Sequence, residues 1–190
     1  MKTITVLLTI ILIASTALTQ QKVPPPPKPA PDGPSLEVTM KFIQDKLNDE
    51  GAVKFVLLRH NAEEGDIRRT VSQEISNVTT EPRKCQITYH VRGTYSSEGE
   101  TATNDSDCDL SVGEVKNIVV IRGEQYLEEA VNHSDSVITI PKFLVLEMRL
   151  PKGEKCVAFL KDEDMANRVA KALVHAVELC GGGKKEAEPF

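Results

Sequence analysis

The chain has 190 residues, 23 Lys and Arg against 28 Asp and Glu for a net charge of −5, 40% hydrophobic residues and no Trp. That length and apolar fraction fit one ordinary domain with one core once the N-terminal segment is set aside. An acidic balance with no basic stripe removes the electrostatic basis for binding nucleic acid or an anionic membrane surface.

Residues 1–19 read MKTITVLLTIILIASTALT. Lys2 precedes an apolar run, Ile4 to Ile13, and small residues Ala14 to Ala17 follow it. This is the charge, apolar and cleavage-site order of a signal peptide, and the run is short of the ~20 residues that a membrane span needs. The expectation is export to the periplasm or the medium, with no stable membrane insertion after cleavage. Residues 20–34 hold a proline-rich linker, KVPPPPKPAPDGP, which favours extended polyproline II. A domain over 35–183 and a short tail, 184–190, complete the layout.

Ser35 to Asn48 is expected as a helix, with Ser35 as N-cap, Leu36, Met40, Ile43 and Leu47 on one face, and Gly51 as the stop. Val53–His60, Ile67–Val78 and Cys85–Val91 read as strands; in the last, Ile87, Tyr89 and Val91 alternate with polar residues. Gly93–Asp107 is polar and reads as an exposed hairpin loop, and Asp109–Val115 as a short strand or turn. Asn117–Ile121, Ser136–Ile140, Phe143–Leu150 and Lys155–Lys161 continue the series of strands, and Gln125–Val131 reads as strand or a helical turn, with strand preferred. Asp162 to Cys180 is the strongest element. Met165, Val169, Ala172, Leu173, Ala176, Val177 and Cys180 form a broad apolar face, Asp162 or Asp164 can cap its start, and Gly181–Gly183 stops it. The fold class is α+β: about seven antiparallel strands in a bent sheet or barrel, joined by short turns as meanders, with an N-terminal helix and a C-terminal helix capping one open end.

The layout resembles the pleckstrin-homology-like (PH-like) barrel. The segment Ala166–Ala172, His175, Leu179–Gly182 and the ending Pro189-Phe190 resembles the C-termini of uncharacterised secreted bacterial proteins. The resemblance implies a PH-like domain and no activity. The lipid use of some members does not carry over, because Asn61–Asp66 and Gly93–Asp107 are acidic where those members have basic loops.

Cys85, Cys108, Cys156 and Cys180 are disulfide candidates in an exported chain. Of the three pairings, the local one, Cys85–Cys108 with Cys156–Cys180, is preferred over Cys85–Cys180 with Cys108–Cys156. Arg168, Lys171, His175 and Glu178 share the polar side of the last helix and form a candidate surface site. Asp105, Asp107 and Asp109 alternate, but Leu110 and Lys116 occupy the positions where a calcium loop needs Gly and Glu. Asn77, Asn104 and Asn132 each begin a glycosylation acceptor pattern. No metal-ligand spacing, nucleophile elbow or phosphate loop occurs, so no cofactor and no catalytic residue is expected. The leading expectation is a non-enzymatic exported module that binds another protein or serves the envelope. The alternatives are a small-molecule or lipid binder, using the barrel interior or the groove beside the helix, and a hydrolase with an unrecognised site.

Overall fold

A computed structural model describes residues 33–61, 65–97, 99–129 and 136–182. The leader, nearly all of the linker, Glu63-Glu64, the acceptor pattern at Asn132 and the tail lie outside the described residues.

Helix α1, Leu36–Glu50, begins where Ser35 Oγ accepts from the Val38 amide at 3.4 Å. It ends at Gly51, whose N–H donates to Leu47 O and whose carbonyl accepts from the Ile75 amide at 2.8 Å. A Cβ at Gly51 would lie 2.8 Å from that of Ile75, so glycine is what lets the helix end touch the sheet. Four long strands follow as a meander: β1 (Ala52–Asn61), β2 (Gly65–Glu81), β3 (Gln86–Ser97) and β4 (Glu100–Ser111). Strand β5 (Asn117–Arg122) leads to a short helix, α2 (Gly123–Glu128), and then come β6 (Ser136–Ile140), β7 (Leu144–Arg149), β8 (Lys155–Leu160) and helix α3 (Glu163–Leu179).

The strands form two antiparallel sheets, ordered β4-β3-β2-β1-β6 and β5-β7-β8. The α+β class, the antiparallel pairing and a helix at each end agree with the sequence. The finer expectations differ in four ways. Among the described residues, eight strands form two sheets, which do not close into a barrel. The connections are not all meanders, since β6 returns to pair with β1. The region 93–107 is no loop: β3 runs to Ser97 and β4 starts at Glu100, with register kept from Gln86↔Ser111 to Ser97↔Glu100. Its polarity misleads because β4 is an edge strand that is exposed almost throughout and held by its ladder to β3. Finally, the segment expected as strand Gln125–Val131 contributes to α2. Gln125, Leu127 and Glu128 are good helix formers, and Tyr126 and Leu127 pack against the core.

A bulge on β2 sets where the first helix docks. Ser76 pairs with His90 and Thr79 with Thr88, so two residues of β2 oppose one of β3, and Asn77 takes φ 55°. The shift turns Val78 inward. It also brings the Val78 amide to Asn48 Oδ1 (3.4 Å) and Thr80 Oγ1 to Gln44 Oε1 (3.0 Å) on α1.

Helix α3 starts with Asp162 Oδ1 accepting from the Met165 amide at 2.8 Å. It stops in a Schellman motif: Gly181, at φ 77°, donates to Glu178 O, and Gly182 donates to Val177 O at 2.8 Å. Ala166, Val169, Leu173, Ala176 and Val177 are buried against α1, β5, β7 and β8. Met40, Ile43 and Leu47 of α1 join them. Between the sheets, Phe55 stacks on Phe143 with centroids 4.3 Å apart, and Phe143 meets Phe159 at 6.3 Å.

All four cysteines are paired, as an oxidising compartment allows, but not locally. Cys85 bonds Cys180 and Cys108 bonds Cys156, with Cα separations of 5.8 and 5.6 Å. The β3–β4 register explains why the preferred pairing fails. Cys108 stands opposite Tyr89, four residues along β3 from Cys85. Four strand residues span about 13 Å, well beyond the ~7 Å limit for a disulfide. One bond therefore pins the end of α3 to the start of β3, and the other ties edge strand β4 to edge strand β8.

Each bond closes a long loop, with separations of 95 and 48 residues. Replacing Cys85 and Cys180 together by Ser should lower the unfolding free energy by about 2–5 kcal/mol in urea titration. Peptide mapping without reductant should recover Cys85 linked to Cys180; recovery of Cys85 linked to Cys108 would overturn this topology.

Candidate functional site

The five-stranded sheet has one face turned to the core and one face turned outward. Alternation along each strand assigns the outer residues: Lys54, Val56 and Leu58 on β1, Arg68, Thr70 and Glu74 on β2, His90 and Arg92 on β3, and Asp105, Asp107 and Asp109 on β4. Two different surfaces share this face.

At the β3–β4 end the surface is ionic. His90 lies 2.9 Å from Asp107 Oδ1 through Nδ1 and 2.9 Å from Asp105 Oδ1 through Nε2. Arg92 Nε donates to the same Asp105 oxygen at 2.8 Å, and Gln86 Nε2 donates to Asp109 Oδ1 at 2.7 Å. The alternating aspartates are thus one outward row of a strand, each matched to a donor on β3. Hydrogen bonds to Asp107 and then Asp105 raise the His90 pKa above its ordinary value of 6.5. Arg92 first and His90 second lower that of Asp105. An imidazole donating from both nitrogens has no lone pair to offer a reacting group, so the cluster is built to hold charge rather than to move protons.

At the β1–β6 end the surface is aliphatic. Val56 stands opposite Ile140 and Leu58 opposite Ile138, which brings four branched or long aliphatic side chains together. Ile138 is 50% exposed and Ile140 58%, while Thr139 between them is 1% exposed. The strand SVITI therefore turns its more apolar side to water. The Thr139 amide and hydroxyl both reach Glu124 Oε1 of α2, at 3.3 and 3.4 Å, and Lys142 completes the cluster with an ion pair to that oxygen. This polar anchor fixes which side of β6 faces in, and it occupies a free edge amide that could otherwise pair with another strand. Lys54 and Arg68 are exposed beside the aliphatic group.

The helix-face candidates fall elsewhere and do not converge. Arg168 lies over the Phe42 ring of α1 at 5.6 Å and 3.8 Å from Asp164. His175 Nε2 donates to the Pro34 carbonyl at 2.9 Å, and its Nδ1 is 3.8 Å from Glu178. Lys171 is exposed, and Glu178 lines a shallow cleft of about 270 Å3 with Val115 and Val174. Arg168 and His175 thus tie the helix to α1 and the segment before it. The aliphatic group was not singled out from the sequence. Its signal was SVITI itself, where Ile138 and Ile140 share one side and Thr139 takes the other; only tertiary contacts, the pairing with β1 and the Glu124 anchor, decide which side is buried.

One further charge is structural in character. Glu147, on the central strand β7, is 1% exposed and binds Arg149 Nε and Lys155 Nζ, the latter at 3.1 Å. Burial pushes its carboxyl up, but the two cations outweigh burial and hold it below the usual range. Among the described residues, no group of three or more His, Cys, Asp and Glu is arranged to hold a metal ion, and no helix is long and apolar enough to cross a membrane. In comparisons with known proteins, the chain matches no family model, no curated protein and no solved structure.

The His90 cluster gives a pH test. A raised folded pKa means that its contribution to stability is complete below 6.5, its ordinary value, and is lost as pH rises through the folded pKa. In an NMR titration the His90 ring should change charge above pH 6.5, and Asp105→Asn with Asp107→Asn should bring it back towards that value. A folded-state midpoint at or below 6.5 would overturn the assignment.

Proposed function

We propose that this chain is an exported, non-enzymatic module that holds another protein on the outer face of its five-stranded sheet. The observation that carries the reading is the outward side of β6, where Ile138 and Ile140 are half or more exposed and adjoin Val56 and Leu58. Isolated exposed aliphatics are ordinary, whereas a contiguous group rimmed by charge marks an interaction surface. Lys54 and Arg68 beside it suit a partner that presents an apolar strip edged by carboxylates. Two disulfides among all four cysteines support export.

The fold that accompanies this reading is PH-like. In its favour are the four-stranded meander, the passage to a three-stranded second sheet and the amphipathic helix at the end. The return of β6 to β1 and the unclosed sheets are departures from that pattern. A ligand held between the sheets draws little support, because Phe55, Phe143, Phe159 and Tyr89 fill that space and are each at most 4% exposed. A hydrolytic role draws none from His90, whose two ring nitrogens are already engaged by carboxylates.

Replacing Ile138 and Ile140 together by Asp should abolish retention of a partner that the unaltered protein captures from its native extracellular or periplasmic fraction. The variant should stay folded with a modestly lower thermal midpoint, since each change loses a cross-strand pair worth about 0.2–1 kcal/mol. Equal retention by the folded double variant would sink the proposal.

A further inference from the structure

A second surface lies at one end of the three-stranded sheet, where β5 and β8 finish and β7 begins. Arg122, Leu144 and Leu160 stand in register there, and Lys161 follows Leu160 towards the start of α3. These elements enclose an open cleft of about 310 Å3, lined by Arg122, Glu124, Lys142, Phe143, Leu144, Lys161 and Glu163. That volume is at the small end of the range for ligand sites, about 300–1,000 Å3. Gly123 shapes it. Its amide donates to Phe143 O at 2.9 Å, and any Cβ there would overlap the Phe143 ring, so only glycine lets that ring lie across the turn into α2.

The charges of the cleft run against those of the whole chain. Three cations line it, in a protein of net charge −5. Lys142 is spent on Glu124, which the Thr139 amide and hydroxyl also bind. Arg122 and Lys161 are exposed, and among the described residues neither forms an ion pair. Phe143 and Leu144 supply an apolar lining between them. Glu163 on the rim limits how much negative charge the cleft tolerates, leaving an excess of a single positive charge over its five ionised side chains.

We infer that this cleft binds a small organic monocarboxylate with an apolar tail. The carboxylate takes the Arg122 guanidinium, whose planar fork matches two oxygens, with Lys161 as the second cation. The tail lies chiefly against Leu144, with the 4% of Phe143 that is exposed beside it. Glu124 and Glu163 disfavour dianions such as phosphate, and the same carboxylates leave the cleft less hostile to a single charge. The site touches the protein-binding face only through Glu124, and the substitutions that test each leave Glu124 in place, so either can fail without the other.

The test is a titration of the protein with octanoate in low-salt buffer at pH 7, read by amide chemical shifts. Acetate serves as the probe without a tail and octylamine as the probe of opposite charge. Octanoate should give saturable shifts at Arg122, Phe143, Leu144 and Lys161, with acetate much weaker and octylamine silent there. Arg122→Gln with Lys161→Gln should weaken octanoate about tenfold or more, as expected for losing charge-assisted contacts, with the thermal midpoint unchanged. Octanoate shifts absent from these amides, acetate or octylamine binding as well as octanoate, or unchanged affinity in the folded double variant would each overturn the inference.

Discussion

The apolar side of α3 and the place where it is held are what the rest of the structure depends on. Five of its residues, Ala166, Val169, Leu173, Ala176 and Val177, are buried. They meet both α1 and the three-stranded sheet, so the helix joins layers that share little else. Burying a Val or Leu side chain, of which Val169, Leu173 and Val177 are three, is worth about 1.5–3 kcal/mol, so the seam outweighs any single polar contact on the surface. A helix is free to slide along an apolar seam. Capping by Asp162, the Schellman stop at Gly181 and the Cys85–Cys180 bond together fix both of its ends.

That arrangement determines which surfaces remain for partners. Helices α1 and α3 are occupied with each other: Arg168 covers Phe42, and His175 holds the Pro34 carbonyl. Arg168 and His175 on the last helix consequently serve the scaffold, while Lys171 and Glu178 remain exposed. Among the described residues, the outer side of the five-stranded sheet has only α2 beside its aliphatic part, where Gln125 and Glu128 border Ile138, and its two ends differ in kind. One end satisfies its charges internally through His90, Arg92 and the aspartates. The other leaves aliphatic side chains facing water, where they gain by association.

Glu124 links the two proposed binding surfaces physically. Its Oε1 accepts from Thr139 on one side and binds Lys142 on the other. The first contact orients β6 and so turns Ile138 and Ile140 outward. The second removes Lys142 from competition in the cleft and leaves Arg122 and Lys161 without an ion pair among the described residues. Desolvation raises the Glu124 carboxyl, but Lys142 and Thr139 prevail and lower it, keeping it ionised in both roles.

Local chemistry is enough to determine a good part of this protein. Serine before Leu36, aspartate before Glu163 and the glycines after α1 and α3 mark the ends of those helices, and periodicity of 3.6 or 2 marks the faces of α1, α3 and β3, because these signals act within a few residues. The disulfide map, the sheet membership of β6 and the side of β6 that faces water were left to tertiary structure. Each depends on contacts between residues far apart in the chain: register separates Cys85 from Cys108 along one strand, and Glu124 decides that Thr139 rather than its isoleucine neighbours is buried. The polar β4 segment was hidden for the same reason, since an edge strand is held by its neighbour's backbone, which its own side chains do not record.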